Sequence, residues 1–463
     1  MMVSGEPLIG HTTPDARVAV RTGVEIAAGQ FVGDAQVLAA QLPPARYILN
    51  ACADRYWFAV AFAAALIGGR RTLLPPSRSP EAVTRLLQAF PDSLCIDDRD
   101  GFGWRHAATA ASHPIRSGAV SWPAPMIMRE TIAAIAFTSG STGEPQPQLK
   151  AWGKLVDGAR AEVESLDWSA ATLAERVLIG TVAPQHMFGF ESTVMLALHG
   201  PCAFATEHPL HPDEVAAALE NVDARRVLIT TPLHLRALVE SPQSMPPLDC
   251  VVSATAPLSA SLAEQCEREW STRVMEVYGC TETGMIATRR TVEGERWTTM
   301  RDVTLKEVDG RMIAQGGHVH TAPLADCLQL DGPTRFELKG RADDMVNIGG
   351  KRASLEGLNR TLRSLDGVID GVLFFPREEG AAVRERRLMA MVVAPGMTRE
   401  QVLAALRAQI DAAFLPRPLL LVDELPRNAQ GKLPRAELLA LAERAQAAAV
   451  SSQPRASRAV ANR

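Results

Sequence analysis

Apolar residues recur along this chain in short blocks separated by polar turns, and block length sorts them into strands and helices. Tyr47 to Leu49 is too short for anything but a strand, whereas Arg55 to Ile67 has the length of a buried helix, closed by Gly68 and Gly69. Arg71 to Leu74 reads as a second strand, stopped by Pro75 and Pro76. Farther on, Asp213 to Leu219 predicts a helix and Val227 to Ile229 a strand ending before Pro232. Leu248 to Val252 and Val274 to Val277 predict two more buried strands, with a helix from Leu262 to Trp270 between them. Such alternation predicts an α/β fold of layered sheets and helices, the sheet largely parallel. Binding residues then belong in the loops after the strands.

The texture changes after about Gly340. Leu355 to Leu365 predicts an amphipathic helix, Val372 to Phe375 and Leu388 to Val393 two strands, and Leu419 to Val422 a last strand. Thr398 and Gln401 have capping-box spacing before a helix carrying Leu403, Leu406, Ile410 and Phe414. The expected organisation is a large N-terminal domain over 1–340 and a small α+β C-terminal domain over 341–446. Residues 447–463 lack apolar periodicity and read as a disordered tail.

With 463 residues, two or more domains are expected. A net charge of -4, with Lys and Arg spread along the chain, excludes the concentrated basic face of a nucleic-acid binder. The longest apolar run, Tyr56 to Ile67, covers about two-thirds of the roughly 20 residues a membrane crossing needs. The opening MMVSGEPLIG lacks the basic and apolar regions of a signal peptide. Cys52, Cys95, Cys202, Cys250, Cys266, Cys280 and Cys327 show no metal-ligand spacing, and they read as reduced thiols of a cytoplasmic protein.

Four segments carry candidate chemistry. In Ala136 to Pro145, the apolar stretch Ile132 to Phe137 runs into Thr138, Ser139, Gly140, Ser141, Thr142 and Gly143. Small residues let backbone N–H groups converge on an anion, so this loop can wrap a polyphosphate. No lysine follows the second glycine, so it is not a Walker loop, and an ordinary surface loop is the alternative. In Val277 to Gly284 a strand ends in a polar turn with one carboxylate, Glu282, placed to hold magnesium on a phosphate or merely to be solvated. Leu338 to Lys351 combines Arg341, Asp343, Asp344, Gly349 and Gly350 where the composition shifts, richer than a plain linker requires. In Leu425 to Arg435, Gly431 lets Lys432 project from a tight turn, although a loop lysine is commonly just solvated.

Taken together, in this order, the four segments resemble the adenylate-forming superfamily of acyl-CoA synthetases, aryl-CoA ligases, luciferases and peptide-synthetase adenylation domains. The resemblance spans Tyr47 to Arg435 and implies ATP and Mg2+ as cofactors. By it, Thr138 to Gly143 form the phosphate loop, and Tyr278, Gly279, Thr281 and Glu282 the adenine and magnesium motif. Thr281 would bind a phosphate oxygen and Glu282 the metal; Asp326 and Arg341 would hold the ribose. Asp343 matches an interdomain hinge, Gly349 and Gly350 the thiol tunnel, and Lys432 the lysine bridging the carboxylate and the α-phosphate.

The match has departures. Pro145-Gln146-Pro147 stands where the family has Pro-Lys-Gly, and the first lysine afterwards is Lys150, a candidate substitute. Leu355 and Gly357 replace a usual Pro and Glu, and Asp326 lacks a preceding Thr-Gly. The loop variant is similar to that of short ligases of aryl-polyene and xanthomonadin-type pigment clusters. This implies an aromatic pocket for a hydroxybenzoate or hydroxycinnamate, bordered by His186, Phe188, Gly189, Ser253 and Gly279. The implied acceptor is the pantetheine thiol of an acyl carrier protein. A ligase using free CoA and a non-catalytic nucleotide or acyl-AMP binder are the alternatives.

Overall fold

In the computed structural model, which describes residues 4–99, 101–106, 113–114, 118–139, 145–341, 345–348, 351–376, 387–428 and 433–451, the apolar run after Asp54 is a helix over Arg55–Ile67. Asp54 caps it by accepting from the Trp57 N–H at 2.9 Å. Phe58 and Phe62 are fully buried, and their rings meet Phe190 at 6.1 and 5.0 Å between centroids. Arg55, the first residue of that helix, is fully buried despite its charge. Its guanidinium donates to Thr193 Oγ1 and to the carbonyls of Gly180, Val182, Ala205 and Glu207. A planar five-donor group can satisfy that many acceptors at once, which a lysine cannot.

The chain divides into two compact units, one of residues 1–324 and 330–337 and one of 325–329 and 338–463. In the larger unit one sheet has parallel strands Ile132–Ser139, Arg71–Leu73, Tyr47–Asn50 and Ser93–Asp97 side by side, with antiparallel strands outside them. A second sheet aligns Arg17–Arg21, Ala203–Ala205, Arg176–Gly180, Arg225–Thr230, Cys250–Ser253 and Arg273–Cys280 in parallel. Beyond the last of these the sheet turns antiparallel through Gly284–Arg290 and Arg296–Thr299. The parallel strands are buried on both faces, so their sequences read as unbroken apolar runs. Val177, Ile179, Leu228, Val251 and Val274 fill one face with Leu235, Leu238, Cys266 and Trp270 of the covering helices.

The smaller unit is a three-stranded sheet of Asp370–Phe374, Met389–Val393 and Leu419–Leu421, the first pair antiparallel and the second parallel. Alternation sends Leu373, Ala390 and Val392 to one core with Leu358, Leu362, Val402 and Leu406. Val372, Phe374, Met389 and Met391 face another with Leu438 and Ala442 of the final helix, Arg435–Ser451. The Thr398–Gln401 capping box forms in both directions, at 2.7 and 3.3 Å. Its helix, Arg399–Arg407, is shorter than the pattern suggests: Asp411 accepts from the Ala413 N–H at 3.0 Å and starts a separate turn, Ala412–Phe414. Residues 452–463 of the expected tail lie outside the described residues.

Candidate active site

The parallel register aligns the carboxyl ends of three strands, Gly180 pairing with Ile229 and Thr230 with Ser253, and sets Ser253 beside Glu276 of a fourth strand that runs on to Cys280. The segments leaving these strands therefore land along one edge, the place where open α/β sheets hold ligands. Along it run Thr181 to Gly189, Thr231, Ala254 to Leu258, and the turn after Cys280. Thr181 Oγ1 bonds Thr230 Oγ1 at 2.8 Å and His234 Nδ1 at 3.2 Å, and His208 Nε2 reaches the Thr181 carbonyl at 3.2 Å. Burial pulls the His208 imidazole down to about 4 and lowers that of His234, so both are neutral near pH 7.

Arg273–Cys280 and Gly284–Arg290 pair as a hairpin that closes at Cys280 and Gly284, leaving Thr281, Glu282 and Thr283 in the loop. Two glycines make this turn possible. A Cβ at Gly279 would stand 2.4 Å from the Gly284 carbonyl oxygen, and Gly284 has φ +83°. Thr283 Oγ1 donates to the Gly284 carbonyl at 2.9 Å, bracing the loop from inside. The Tyr278 ring lies 5.7 Å from Trp297 and 5.6 Å from Phe336. Close by in sequence to the neighbouring strand end, Thr255 is exposed with φ +79°, a strained conformation for a β-branched residue.

Lys150, the first lysine after the glycine-rich loop, is 2% exposed. Its ammonium donates to the Thr281 carbonyl at 2.5 Å and the Glu282 carbonyl at 3.3 Å. Burial lowers its affinity for a proton, while the nearby carboxylates of Glu191 and Glu282 raise it. It thus serves the hairpin loop.

The remaining residues singled out in the sequence are spread over both units. Strands Ile132–Ser139 and Pro145–Ala151 pair as far as Ser139 and Pro145, fixing the backbone on both sides of the glycine-rich loop. Gly140, Ser141, Thr142 and Gly143 lie outside the described residues, as do the side chains of Thr138, Ser139 and Arg341. Asp343, Gly349, Gly350 and Lys432 also lie outside them. Just before Lys432, Arg427 forms a bidentate pair with Asp370 at 2.6 and 2.8 Å, tying that segment to the smaller unit's sheet. Asp326 opens the strand Asp326–Leu330 in the same unit. His186 is exposed at the start of the short helix Met187–Gly189; Phe188 is buried, and a Cβ at Gly189 would strike the Ala183 carbonyl at 2.1 Å. Ser253 is fully buried.

A lone carboxylate beside hydroxyls at a strand end is the donor set of a magnesium ion shared with phosphate oxygens, since magnesium keeps several waters and needs few protein ligands. Among the described residues no group of three His, Cys, Asp or Glu gathers as a metal cage. The residues therefore fit a metal that arrives with a nucleotide.

A model of the AMP-binding enzymes matches residues 46–314, more than half of the chain. The chain belongs to that family. This AMP-binding enzyme is 31% identical over 309 residues to a 4-coumarate–CoA ligase of Rhodobacter capsulatus, covering 65% of this chain and 75% of that protein. It is 20% identical over 335 residues to a 3,4-dihydroxybenzoate–[aryl-carrier protein] ligase of Bacillus anthracis, covering 68% and 75%. The o-succinylbenzoate CoA synthetase of Bacillus subtilis, solved with ATP and magnesium ion, shares its fold at a TM-score of 0.75 and 17% identity, covering 94% of this chain and 100% of that one. The AMP-binding enzyme is an AMP-forming acid–thiol ligase, of a family that uses ATP and Mg2+. Among the described residues, no helix is long and apolar enough to cross a membrane.

Sequence reasoning missed three features here: the clasp of Arg55, the strained Thr255, and the buried ionisable groups around Lys150. Each depends on contacts between distant segments; Lys150 and Thr281 are 131 positions apart. Glu191, within the apolar run from Met187 to Leu198, was the one legible sign, because a carboxylate there is either buried with a purpose or misplaced.

Proposed function

We propose that this enzyme activates an aromatic carboxylic acid of hydroxybenzoate or hydroxycinnamate type as its acyl-AMP and transfers the acyl group to the pantetheine thiol of an acyl carrier protein. The observation that carries the reading is the Thr281–Glu282 loop at the strand edge of an AMP-binding chain similar to 4-coumarate–CoA and aryl-carrier ligases. Transfer to free CoA is the second reading, favoured by the CoA ligases of coumarate and chlorobenzoate among the relatives.

A carboxylate approaching the α-phosphate brings two anions together, so the barrier is largely electrostatic. Bound MgATP supplies the phosphoryl electrophile and part of the neutralising charge. Glu282 would hold the metal, and the Thr281 hydroxyl and the glycine-rich loop from Thr138 to Gly143 would bind phosphate oxygens. Tyr278 and Gly279 border the adenine, while Asp326 and Arg341 hold the ribose. Lys432 bridges the acid and the α-phosphate, and His186, Phe188, Gly189 and Ser253 border the acid. By the family resemblance, Asp343 would serve as the hinge, and Gly349 and Gly350 would line the path of the thiol once Lys432 has acted.

ATP–pyrophosphate exchange with magnesium, across benzoic, cinnamic and aliphatic acids, tests the acid. Exchange confined to hydroxylated aromatic acids is expected; a preference for aliphatic acids would overturn the aryl reading. Thioester analysis with holo acyl carrier protein against CoA then separates the two acceptors. No exchange with any acid would turn the reading to a binding protein.

A further inference from the structure

Beneath the Thr281–Thr283 loop the larger unit assembles buried ionisable groups from separate elements. Lys150 comes from the strand Pro145–Ala151 and Glu191 from the wide π-helical turn Phe190–Met195, with Glu162 of the helix Trp152–Ser165 buried beside Ser192. Turns of that kind are uncommon and concentrate at functional sites. Glu191 approaches the loop so closely that a Cβ at Gly284 would stand 2.8 Å from its Oε1. Lys150, Glu191, Thr283 and His318 line one cavity of about 10 Å³, the size of a single water. His318 Nε2 is itself fixed by the Met285 carbonyl at 2.8 Å.

Burying an ammonium costs its hydration, and an apolar residue of similar volume commonly serves a core as well or better. The return lies in what the ammonium holds. Both of its hydrogen bonds go to consecutive carbonyls of the loop, those of Thr281 and Glu282. A trans peptide is planar, with its N–H opposite its C=O. Turning the Thr281 carbonyl inward to Lys150 therefore turns the Glu282 N–H outward. The same two bonds fix the backbone from which the Thr281 hydroxyl and the Glu282 carboxylate project, and they place a positive charge one peptide behind it. At low dielectric that charge is felt by an anion on the other side.

We propose that Lys150, balanced by Glu191, is a positioning residue for adenylation: it sets the Thr281–Glu282 peptide to receive the phosphates of MgATP. The proposal rests on the acyl-AMP reading above. It also accounts for a glycine-rich loop followed by Gln146, since the cation stands under the second motif instead.

Calorimetric MgATP binding, pyrophosphate exchange and thioester formation from supplied acyl-AMP, measured on the full chain, test it together. Lys150→Met should weaken MgATP binding about tenfold and slow exchange on the order of 10²-fold. Thioester formation from supplied acyl-AMP should change less than about threefold, because it involves no attack on the α-phosphate. Glu191→Gln should shift binding and exchange in the same direction by a smaller factor. The double variant should be no worse than Lys150→Met, as coupled residues require. Unchanged MgATP binding in Lys150→Met, equal loss of both half-reactions, or additive losses in the double variant would overturn the proposal. If Lys150→Met does not fold, Glu191→Gln decides, and unchanged binding there overturns it. A parent chain that binds MgATP but exchanges with no acid would defeat the acyl-AMP reading, leaving the binding comparison to judge Lys150.

Discussion

At the residue scale, the chemistry divides between groups that meet reacting atoms and groups that hold them in place. The proposed function assigns Lys432, in Leu425 to Arg435, to the first kind. Lys432→Ala is expected to abolish pyrophosphate exchange and leave thioester formation from supplied acyl-AMP largely intact; comparable loss in both would remove it from the first step. Glu282→Ala should raise the magnesium needed for half-maximal exchange several-fold, as loss of one carboxylate ligand implies. An unchanged magnesium titration would argue against a metal role. Both expectations arise from the sequence alone, because chemistry needs particular atoms in local runs of small and polar residues. Ser253 shows the limit of such reading: it was named for the pocket border, and its fully buried position depends on a strand pairing no local run reveals.

Among the elements, the buried parallel strands were the most legible, since burial on both faces leaves only apolar residues in them. Arg225–Thr230 and Cys250–Ser253 lie within a few residues of their expected positions. The antiparallel extension was not, because Gly284–Arg290 and Arg296–Thr299 alternate with Thr and Arg and resemble loops. Arg55 is the sharpest case of an element-scale role hidden in sequence. It clasps the start of one helix to the ends of two strands through four carbonyls and Thr193. Arg55→Met should cost several kcal/mol, since each buried acceptor left without its donor costs about 1–3 kcal/mol. Urea unfolding measures it, and Arg55→Lys should recover only part, having three donors for five acceptors.

For the whole molecule, buried ionisable groups set how stability follows pH. Burial holds the carboxyl of Glu162 up at about 8 and that of Glu191 at about 7. The folded protein therefore keeps protons that the unfolded chain releases near 4.5, and these groups make stability fall as pH rises from there to about 8. Buried imidazoles act oppositely: His199, held down to about 3, and His208, to about 4, are neutral when folded and charged when unfolded below 6.5. The two sets oppose each other below pH 6.5, and above it the carboxyls act alone. The melting temperature should thus fall by a few degrees between pH 6.5 and 8. Glu162→Gln should flatten that fall, and an identical slope in the variant would refute its origin.

The strand ends along the edge of the candidate site carry a consequence for evolvability. Everything up to that edge is locked by packing, whereas the segments leaving it are only a few residues long. A new acid could therefore be accommodated by exchanging residues around His186 and over 254–257, with Gly189, Gly279 and Gly284 kept in place, without renegotiating the core. Libraries confined to those positions should reach altered selectivity with far fewer unfolded members than libraries spread along the gene.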